Sequence, residues 1–255
     1  MALKVAIVGL PNVGKSTLFN ALTQTAAAQA ANYPFCTIEP NVGEVAVPEP
    51  RLETLARIAG SKEIIPARIT FVDVAGLVRG AAQGEGLGNQ FLANIRDCDA
   101  IALVARCFVD GDITHVEGRI DPIDDLDIID TELMIADLES LEKRVPGLEK
   151  RAKGGDKDSQ ATLRLINAAL EPLRAGRPAR VIDVAEDDRK AWRMLQLLTT
   201  KPALYVCNVD EASAADGNEF SAQVAARAER DGAKTVVISA QIESEVAMLD
   251  AEERA

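Results

Sequence analysis

A short glycine-containing segment near the N-terminus constrains the fold more than any other feature of this sequence. The stretch Gly9–Ser16 reads GLPNVGKS, which fits the pattern G-x-x-x-x-G-K-[ST] at every fixed position. The apolar run Lys4–Val8 precedes it, and Ser16–Ala30, rich in helix-forming residues, follows it. In such a strand–loop–helix unit, backbone N–H groups and the positive end of the helix point at phosphate oxygens. The pattern predicts a phosphate-binding loop in an α/β fold.

Residues of this loop are expected to have separate roles. Lys15 should reach the β- and γ-phosphates of a nucleotide, which makes it a candidate catalytic residue as well as a binding residue. The Ser16 hydroxyl should hold Mg²⁺. The predicted phosphate-binding set is Asn12, Val13, Gly14, Lys15, Ser16, Thr17 and, farther along the chain, Gly76.

A second segment predicts further ligands for the metal and the phosphates. Asp73 begins the sequence DVAG at the end of an apolar run, and a carboxylate there can hold Mg²⁺ through water. Gly76 can offer its N–H to a γ-phosphate, and Thr37, in the loop Asn32–Thr37, is the expected second hydroxyl ligand. Four glycines follow Asp73 closely: Gly80, Gly84, Gly86 and Gly88. We therefore expect two loops that the γ-phosphate holds and hydrolysis releases.

Apolar runs alternate with helix-like segments along much of the chain. The further runs are Arg68–Val74, Ala100–Ala105, Pro202–Asn208 and Lys234–Ser239. Helix-like stretches lie between them, for example Glu219–Arg230 with Asn218 as a candidate N-cap. This alternation predicts a mostly parallel sheet flanked by helices.

The middle of the chain departs from this alternation. Apolar residues recur there every three or four positions on both sides of a glycine pair: Met134, Leu138, Leu141, Val145 and Leu148, then Leu163, Ile166, Leu170 and Leu173. The spacing favours an antiparallel helical hairpin over about residues 131–175, with two ordinary helices packed on the sheet as the alternative. Pro146 is expected to kink or shorten the first helix. The predicted domains are 1–126 and 201–255 for the nucleotide-binding part, and 127–200 for the helical insertion.

Composition limits the class of protein and its partners. Of 255 residues, 47% are hydrophobic and 27% charged, and no apolar run is long enough to span a membrane. The N-terminus lacks the layout of a secretory signal, so we expect a cytoplasmic protein. The net charge of −12 argues against non-specific nucleic-acid binding by the whole surface. We expect no membrane association, no DNA partner and a monomer.

At these motifs the chain resembles the translation-factor-like P-loop GTPases, and within them the Obg-like group. NYPFCTIEPNVG and DVAGLVRGAAQGEGLGNQFL are similar to the YchF subfamily, the Obg-like ATPases. The resemblance includes the helical segment. It implies an Mg²⁺-dependent enzyme that hydrolyses ATP, and GTP less well, and acts at the ribosome in translation or stress response. Members usually carry a C-terminal TGS domain, which we expect this chain, ending at Ala255, to lack.

The resemblance also identifies a candidate base site. Such GTPases read guanine with N-K-x-D, and the matching stretch here is Asn208–Glu211. Val209 replaces the lysine, and Glu211 is one methylene longer than the aspartate, so guanine discrimination should weaken. The resemblance favours ATP over GTP, whereas a plain acidic turn is the alternative interpretation. The predicted base-binding set is Asn208, Val209, Glu211, Ser239, Ala240 and Gln241.

The residue that would position the attacking water is not given by the usual motif in this sequence. Leu77 stands where such GTPases carry a glutamine, so hydrolysis should be slow or use another group. His115, the only histidine, lies in an acidic loop where a mobile imidazole could position the water, and a solvent-exposed histidine without a role is the alternative. Related GTPases suggest that Asn12 helps bind K⁺. Cys36 beside Thr37 could allow redox control, with an ordinary thiol as the alternative.

Basic residues concentrate around the predicted hairpin tip. Lys143, Arg144, Lys150, Arg151, Lys153, Lys157 and Arg164 outnumber Glu149, Asp156 and Asp158, giving a local charge of +4. Such a tip could contact RNA phosphates, and the resemblance implies ribosome association, whereas a solvated helical face is the alternative. A guanine-specific ribosome-assembly GTPase and a nucleotide-gated binding module with incidental hydrolysis are the alternative functions.

Overall fold

The helices and strands are taken from a computed structural model, which describes residues 2–23, 41–74, 76–77, 79–80 and 87–249. The strands are β1 (Leu3–Val8), β2 (Asn41–Ala46), β3 (Arg68–Asp73), β4 (Ala100–Cys107), β5 (Ala203–Val209) and β6 (Lys234–Ile238). The helices are α1 (Lys15–Thr23), α2 (Arg51–Ala59), α3 (Leu87–Arg96), α4 (Pro122–Lys153), α5 (Lys157–Arg174), α6 (Arg189–Arg193), α7 (Glu219–Arg230) and α8 (Ala240–Met248).

The strands form one sheet in the order β2–β3–β1–β4–β5–β6. Only β2 is antiparallel to its neighbour, and the remaining pairs are parallel. Helix α1 packs against α8, while α4 contacts β4 and α7 contacts β5 and β6. This arrangement confirms the predicted mostly parallel sheet with flanking helices. It also brings the carboxyl ends of β1, β3, β4 and β5 to one edge, where open α/β sheets bind their ligands.

Strand β2 was not predicted, because its sequence lacks an apolar run. The segment NVGEVA lies at the edge of the sheet, and its residues are exposed or half-buried throughout. The central strand β4, in contrast, is almost entirely buried, β1 is buried over its last three residues, and both consist of nearly continuous apolar residues. The predicted strand ends also shift by one or two residues. Strand β6 stops before Ser239, because that side chain instead caps α8 by accepting a hydrogen bond from Ile242 N at 3.4 Å.

The helical hairpin is formed by α4 and α5, which turn at Gly154 and Gly155. Helix α4 begins at Pro122 rather than near residue 131, since the Asp121 carboxylate accepts from Ile123 N and Asp124 N, both at 3.1 Å. Helix α4 therefore runs through the predicted domain boundary between residues 126 and 127, which stays a prediction. The expected shortening at Pro146 is also absent, as α4 continues to Lys153.

Helix α4 belongs to two hydrophobic clusters. Its first half, with Leu126, Ile129 and Leu133, packs into the main core beneath the sheet. Its second half packs with α5 and the returning segment in a separate cluster that includes Leu141, Leu148, Ile166, Leu170, Leu195 and Leu197. Each predicted arrangement is thus correct for one half of α4: its beginning packs on the nucleotide-binding part, and its end forms a separate hairpin. In the described part of the chain no helix is both long and apolar enough to cross a membrane.

Candidate nucleotide-binding site

The loop between β1 and α1 has the backbone geometry that its glycines predict. Asn12 and Gly14 adopt positive φ values of 63° and 93°, which turn successive N–H groups toward one side of the loop. A Cβ atom at Gly14 would lie 2.3 Å from Nδ2 of Asn208, and one at Gly9 would lie 2.7 Å from the Val104 carbonyl oxygen. Glycine is therefore required at both positions, because the loop lies directly against the ends of β4 and β5.

Lys15 is the first residue of α1 and is 6% exposed. Its Nζ donates to the Leu10 carbonyl oxygen at 2.7 Å, so the side chain folds back over the loop. Burial lowers the pKa of Lys15 from 10.5 to about 8, although the nearby Asp73 carboxylate partly offsets this. A buried ammonium group with so little compensating charge favours the binding of an anion.

Ser16 and Asp73 form the candidate metal site. The Ser16 hydroxyl donates to Oδ2 of Asp73 at 2.9 Å. The other oxygen of Asp73, Oδ1, is buried and has no hydrogen-bond partner within the described residues. Burial raises the pKa of Asp73, against the opposing effects of the Ser16 hydrogen bond and the Lys15 charge.

This pair fits Mg²⁺ as far as the described residues extend. A hydroxyl beside a carboxylate with a free oxygen supplies the hard oxygen ligands that Mg²⁺ prefers. Within the described ranges, no group of three or more His, Cys, Asp and Glu side chains could hold a metal by itself. An ion bound here would need additional oxygens, which is typical of Mg²⁺ held between a protein and nucleotide phosphates. The predicted ligand Thr37 and the neighbouring Cys36 lie outside the described residues.

The segment that follows Asp73 is docked on the phosphate-binding loop. Leu77 N donates to the Gly9 carbonyl oxygen at 3.1 Å, and a Cβ atom at Gly76 would lie 2.8 Å from Cγ of Pro11. The Leu77 side chain is fully buried in the main core. Gly76 therefore lies beside the loop, where it was predicted to bind phosphate, while Leu77 turns away from the site.

A cleft of about 770 Å³ extends from this loop across the ends of β4 and β5. Gly14 and Thr17 line its phosphate end. Its lining also includes all of the predicted base-binding residues: Asn208, Val209, Glu211, Ser239, Ala240 and Gln241. The volume is within the range of about 300–1,000 Å³ that is typical of small-molecule sites.

Asn208 holds the parts of this cleft together. Its Nδ2 donates to the Val13 carbonyl oxygen at 2.9 Å, and its Oδ1 accepts from Ala240 N at 2.9 Å. These bonds join β5 to the phosphate-binding loop on one side and to the start of α8 on the other. The buried Asn208 side chain thus positions the cleft walls, and its contact with a base stays a prediction.

The opposite wall of the cleft was missed by sequence reasoning. It consists of Phe108, Val109, Asp110 and Ile113, which directly follow β4. This loop has no recognisable motif and mixes acidic with apolar residues. The one available signal was its position, because segments after the carboxyl ends of parallel strands form the ligand sites of such sheets.

His115 is buried in this structure, so the expectation of a solvent-exposed histidine is wrong. The residue is 7% exposed, and its Nε2 lies 2.8 Å from Oδ2 of Asp125 in the first turn of α4. Its Nδ1 accepts from Glu117 N at 3.1 Å, so the Nε2 proton is directed at Asp125. Burial raises the pKa of Asp125, and the hydrogen bond from His115 partly offsets this. The phosphate-binding loop is nevertheless close, since Asn12 Nδ2 donates to the Thr114 carbonyl oxygen at 3.0 Å.

The basic residues of the hairpin divide into two groups. Away from the tip, Lys143 pairs with Glu139 at 3.5 Å, and Arg164 pairs with Asp188 at 2.7 Å. At the tip, four exposed cations form no ion pair within the described part of the chain: Lys150, Arg151, Lys153 and Lys157. These four residues, named here the tip cluster, are available for an anionic partner.

Several known proteins resemble this chain over nearly all of its length. The ribosome-binding ATPase YchF of Bacillus subtilis is 50% identical over 256 residues, covering 100% of this chain and 70% of the relative. The protein of the same name from Escherichia coli O157:H7 is 48% identical over 254 residues, covering 100% and 69%. The structure of the Schizosaccharomyces pombe YchF GTPase is 37% identical with a TM-score of 0.80, covering 99% of this chain and 69% of that chain.

A family model gives the same assignment. The model described as "50S ribosome-binding GTPase" matches residues 4–136, more than half of the chain, from β1 into α4. That range contains the phosphate-binding loop and Asp73, while the B. subtilis and S. pombe proteins extend the similarity through the hairpin to β5 and β6. The chain belongs to the YchF family of P-loop GTPases.

Proposed function

We propose that this chain is an Mg²⁺-dependent nucleoside triphosphatase that hydrolyses ATP, and GTP less well, as a nucleotide-dependent switch at the ribosome. The observation that carries the proposal is the layout of the cleft. Gly14 and Thr17 line one end of the cleft, and Lys15 and Ser16, which bonds Asp73, lie between them in the chain. Val209 and Glu211, at the positions that read guanine in the family motif, also line the cleft. Relatives that are 50% and 48% identical to this chain are named ribosome-binding ATPases.

Weakened guanine discrimination is inferred from two substituted positions, and the preference for ATP over GTP from the likeness to relatives named ribosome-binding ATPases. Val209 is buried, so no ammonium group lies over the base from that position. Glu211 is exposed at the start of a short 3₁₀ turn, Glu211–Ser213, and its carboxylate extends one methylene farther than an aspartate. A bidentate pair with the two guanine donors requires fixed geometry, which this arrangement supports poorly.

In the proposed mechanism the chain binds and orients the triphosphate. Lys15 and the backbone N–H groups of Val13, Gly14 and Gly76 would neutralise the β- and γ-phosphate oxygens. Ser16 and Asp73, with Thr37 as a further proposed ligand, would hold Mg²⁺. When bound, this ion supplies positive charge that stabilises the developing negative charge on the phosphates.

Among the described residues, neither Leu77 nor His115 is free to orient the attacking water, so we propose slow hydrolysis. Leu77 is buried, and His115 is held by Asp125. His115 remains the candidate for positioning the water, provided that its loop first releases it from Asp125. Binding of K⁺ near Asn12 and redox control through Cys36 also stay proposals.

The proposed partner is ribosomal RNA, contacted by the tip cluster. Its four exposed cations lie at the end of the hairpin, and unpaired lysine and arginine side chains bind phosphates readily. We propose a cytoplasmic monomer with no DNA partner. We also propose that the nucleotide-binding part comprises residues 1–126 and 201–255, with the insertion at 127–200, so that α4 continues from the first part into the insertion.

A second candidate is a nucleotide-gated binding module in which hydrolysis is incidental. The buried Leu77 and the restrained His115 favour it, because neither of these described residues is free to orient the water in this conformation. A guanine-specific GTPase is the third candidate function, because the matching protein family and the S. pombe YchF structure are both named as GTPases.

Steady-state ATP hydrolysis tests the main proposal. The Ser16→Ala variant should lose at least about tenfold in kcat/KM in the presence of Mg²⁺, because it lacks one metal ligand. The matched control is Thr131→Ala, since Thr131 is exposed on α4 and bonds only the Asp127 carbonyl oxygen among the described contacts. Equal turnover by the Ser16→Ala and control variants, or turnover independent of Mg²⁺, would contradict the proposal.

A further inference from the structure

The side chain of Arg106 lies buried below the nucleotide cleft. The residue is next to last in β4 and is only 1% exposed. Its guanidinium donates to three backbone carbonyl oxygens: Phe108 at 3.3 Å, Asp110 at 3.2 Å and Ile113 at 3.0 Å. It also lies 4.6 Å from the centroid of the Phe108 ring. All of these contacts are with the loop that forms one wall of the cleft.

Burial of an arginine at the end of a strand costs free energy unless its hydrogen-bond donors are satisfied. Residues 108–114 adopt no helix or strand, so their carbonyl oxygens lack the regular backbone hydrogen bonds of those elements. The Arg106 guanidinium supplies donors in their place. The planar guanidinium can reach three diverging carbonyls at once, which a lysine ammonium on a flexible stem cannot do with equal geometry. The side chain is therefore fitted to hold this particular loop.

The wall loop is also anchored at its other end. The Thr114 carbonyl oxygen accepts from Nδ2 of Asn12 in the phosphate-binding loop at 3.0 Å. Phe108, Val109, Asp110 and Ile113 of this loop line the cleft together with Val209 and Glu211. A nucleotide with its phosphates at Gly14 and Lys15 would place its base and ribose in this cleft.

We propose that Arg106 is a positioning residue for the nucleoside end of this site. By binding three carbonyls from beneath, it fixes the wall against which the base and ribose of a nucleoside triphosphate lie. This inference rests on the proposed function. It assigns Arg106 to nucleoside binding, as distinct from phosphate binding, which the loop at Gly9–Ser16 provides.

The test is a pair of calorimetric titrations, one with Mg²⁺–ATP and one with Mg²⁺–tripolyphosphate, which lacks the nucleoside. Arg106→Lys should weaken ATP binding about tenfold, the effect expected from losing well-placed hydrogen bonds that order a binding wall. Tripolyphosphate affinity should not change. The matched control is Arg96→Lys, because Arg96 also donates to carbonyls, Gln196 at 2.8 Å and Ala136 at 3.3 Å, but joins α3 to the insertion away from the cleft.

A purely structural role would weaken both ligands together and lower the melting temperature, and that result would overturn the inference. Unchanged ATP binding in Arg106→Lys would overturn it as well. If the variant fails to fold, hydrogen–deuterium exchange on the wild-type chain provides a second test. ATP should protect the amides of residues 109–114 more than tripolyphosphate does, and equal protection would contradict the inference. A wild-type chain that binds tripolyphosphate but no nucleotide would overturn the proposed function together with this inference.

Discussion

At the scale of single residues, partners far apart in the sequence decide what each site residue does. Asn208 bonds Val13 across 195 positions, and His115 is held by a carboxylate from a different element. The sequence identifies such residues by type and motif but cannot reveal which side-chain atoms are already committed. The two motifs therefore identify Lys15 and Asp73 from the sequence alone. The hydrogen bond that restrains His115 and the contribution of Phe108 to the cleft wall are visible only in the structure.

Protonation of Lys15 gives a prediction at this scale. Its pKa of about 8 lies below the usual 10.5, so the free chain loses this proton as the pH rises through about 8. Phosphate oxygens favour the ammonium form and raise its pKa in the complex. Nucleotide binding should therefore take up close to one proton at about pH 9 and little at about pH 7.

The dependence of the binding enthalpy on the ionisation enthalpy of the buffer measures this uptake. Affinity for ATP should also fall as the pH rises above about 8. An absence of proton uptake at about pH 9 would show that Lys15 stays charged in the free chain, contrary to its burial against the Leu10 carbonyl oxygen.

The His115–Asp125 pair gives a second residue-scale prediction. Asp125→Asn removes the charge that holds the imidazole and should raise ATP turnover by about threefold or more, if a released His115 positions the water. The increase should disappear in the Asp125→Asn/His115→Ala double variant. Asp127→Asn, on the same helix with a more exposed side chain, is the control.

The measurement compares the steady-state kcat for ATP hydrolysis of Asp125→Asn with that of the Asp125→Asn/His115→Ala double variant. If the double variant retained the full increase, His115 would have no part in hydrolysis. If Asp125→Asn lowered turnover, the pair would be required in its closed form.

At the scale of elements, α4 connects the nucleotide site to the hairpin tip. Its first turns contact the loop of His115, and the Glu132 carboxylate accepts from Gly80 N at 2.6 Å, just after the Asp73 segment. Farther along, Asp137 accepts from Leu198 N, Thr199 N and the Thr199 hydroxyl at 2.8–2.9 Å, which anchors the returning segment. Periodicity predicted the hairpin, but the start of α4 at Pro122 depends on the Asp121 cap and on packing against β4, which apolar spacing does not report.

The tip cluster carries the element-scale prediction. Reversal of Lys150, Arg151 and Lys153 to glutamate should abolish most co-sedimentation with ribosomes at low salt, because these cations are exposed and unpaired among the described residues. Reversal of Arg189, Lys190 and Arg193 on α6 changes the net charge equally at another exposed site and serves as the control. Binding that survived the tip reversal, or that both reversals reduced alike, would exclude the tip as the specific contact.

At the scale of the whole molecule, one sheet edge gathers loops from distant parts of the chain into a single cleft. The alternation of strands and helices predicted this architecture, and the comparisons with known proteins agree. The edge strand β2 could not be predicted in the same way, since it is stabilised by pairing with β3 and not by apolar content. The net charge of −12 likewise conceals a cationic tip, because a sum over the chain carries no positional information.

The central claim is that this cleft binds ATP in preference to GTP with Mg²⁺. Calorimetric titration of the wild-type chain with each nucleotide tests it most directly. We expect tighter binding of ATP, by about threefold or more, because Val209 and Glu211 do not reproduce the guanine-reading pair and the family resemblance favours ATP. Binding of GTP about tenfold or more tighter than ATP would contradict the account.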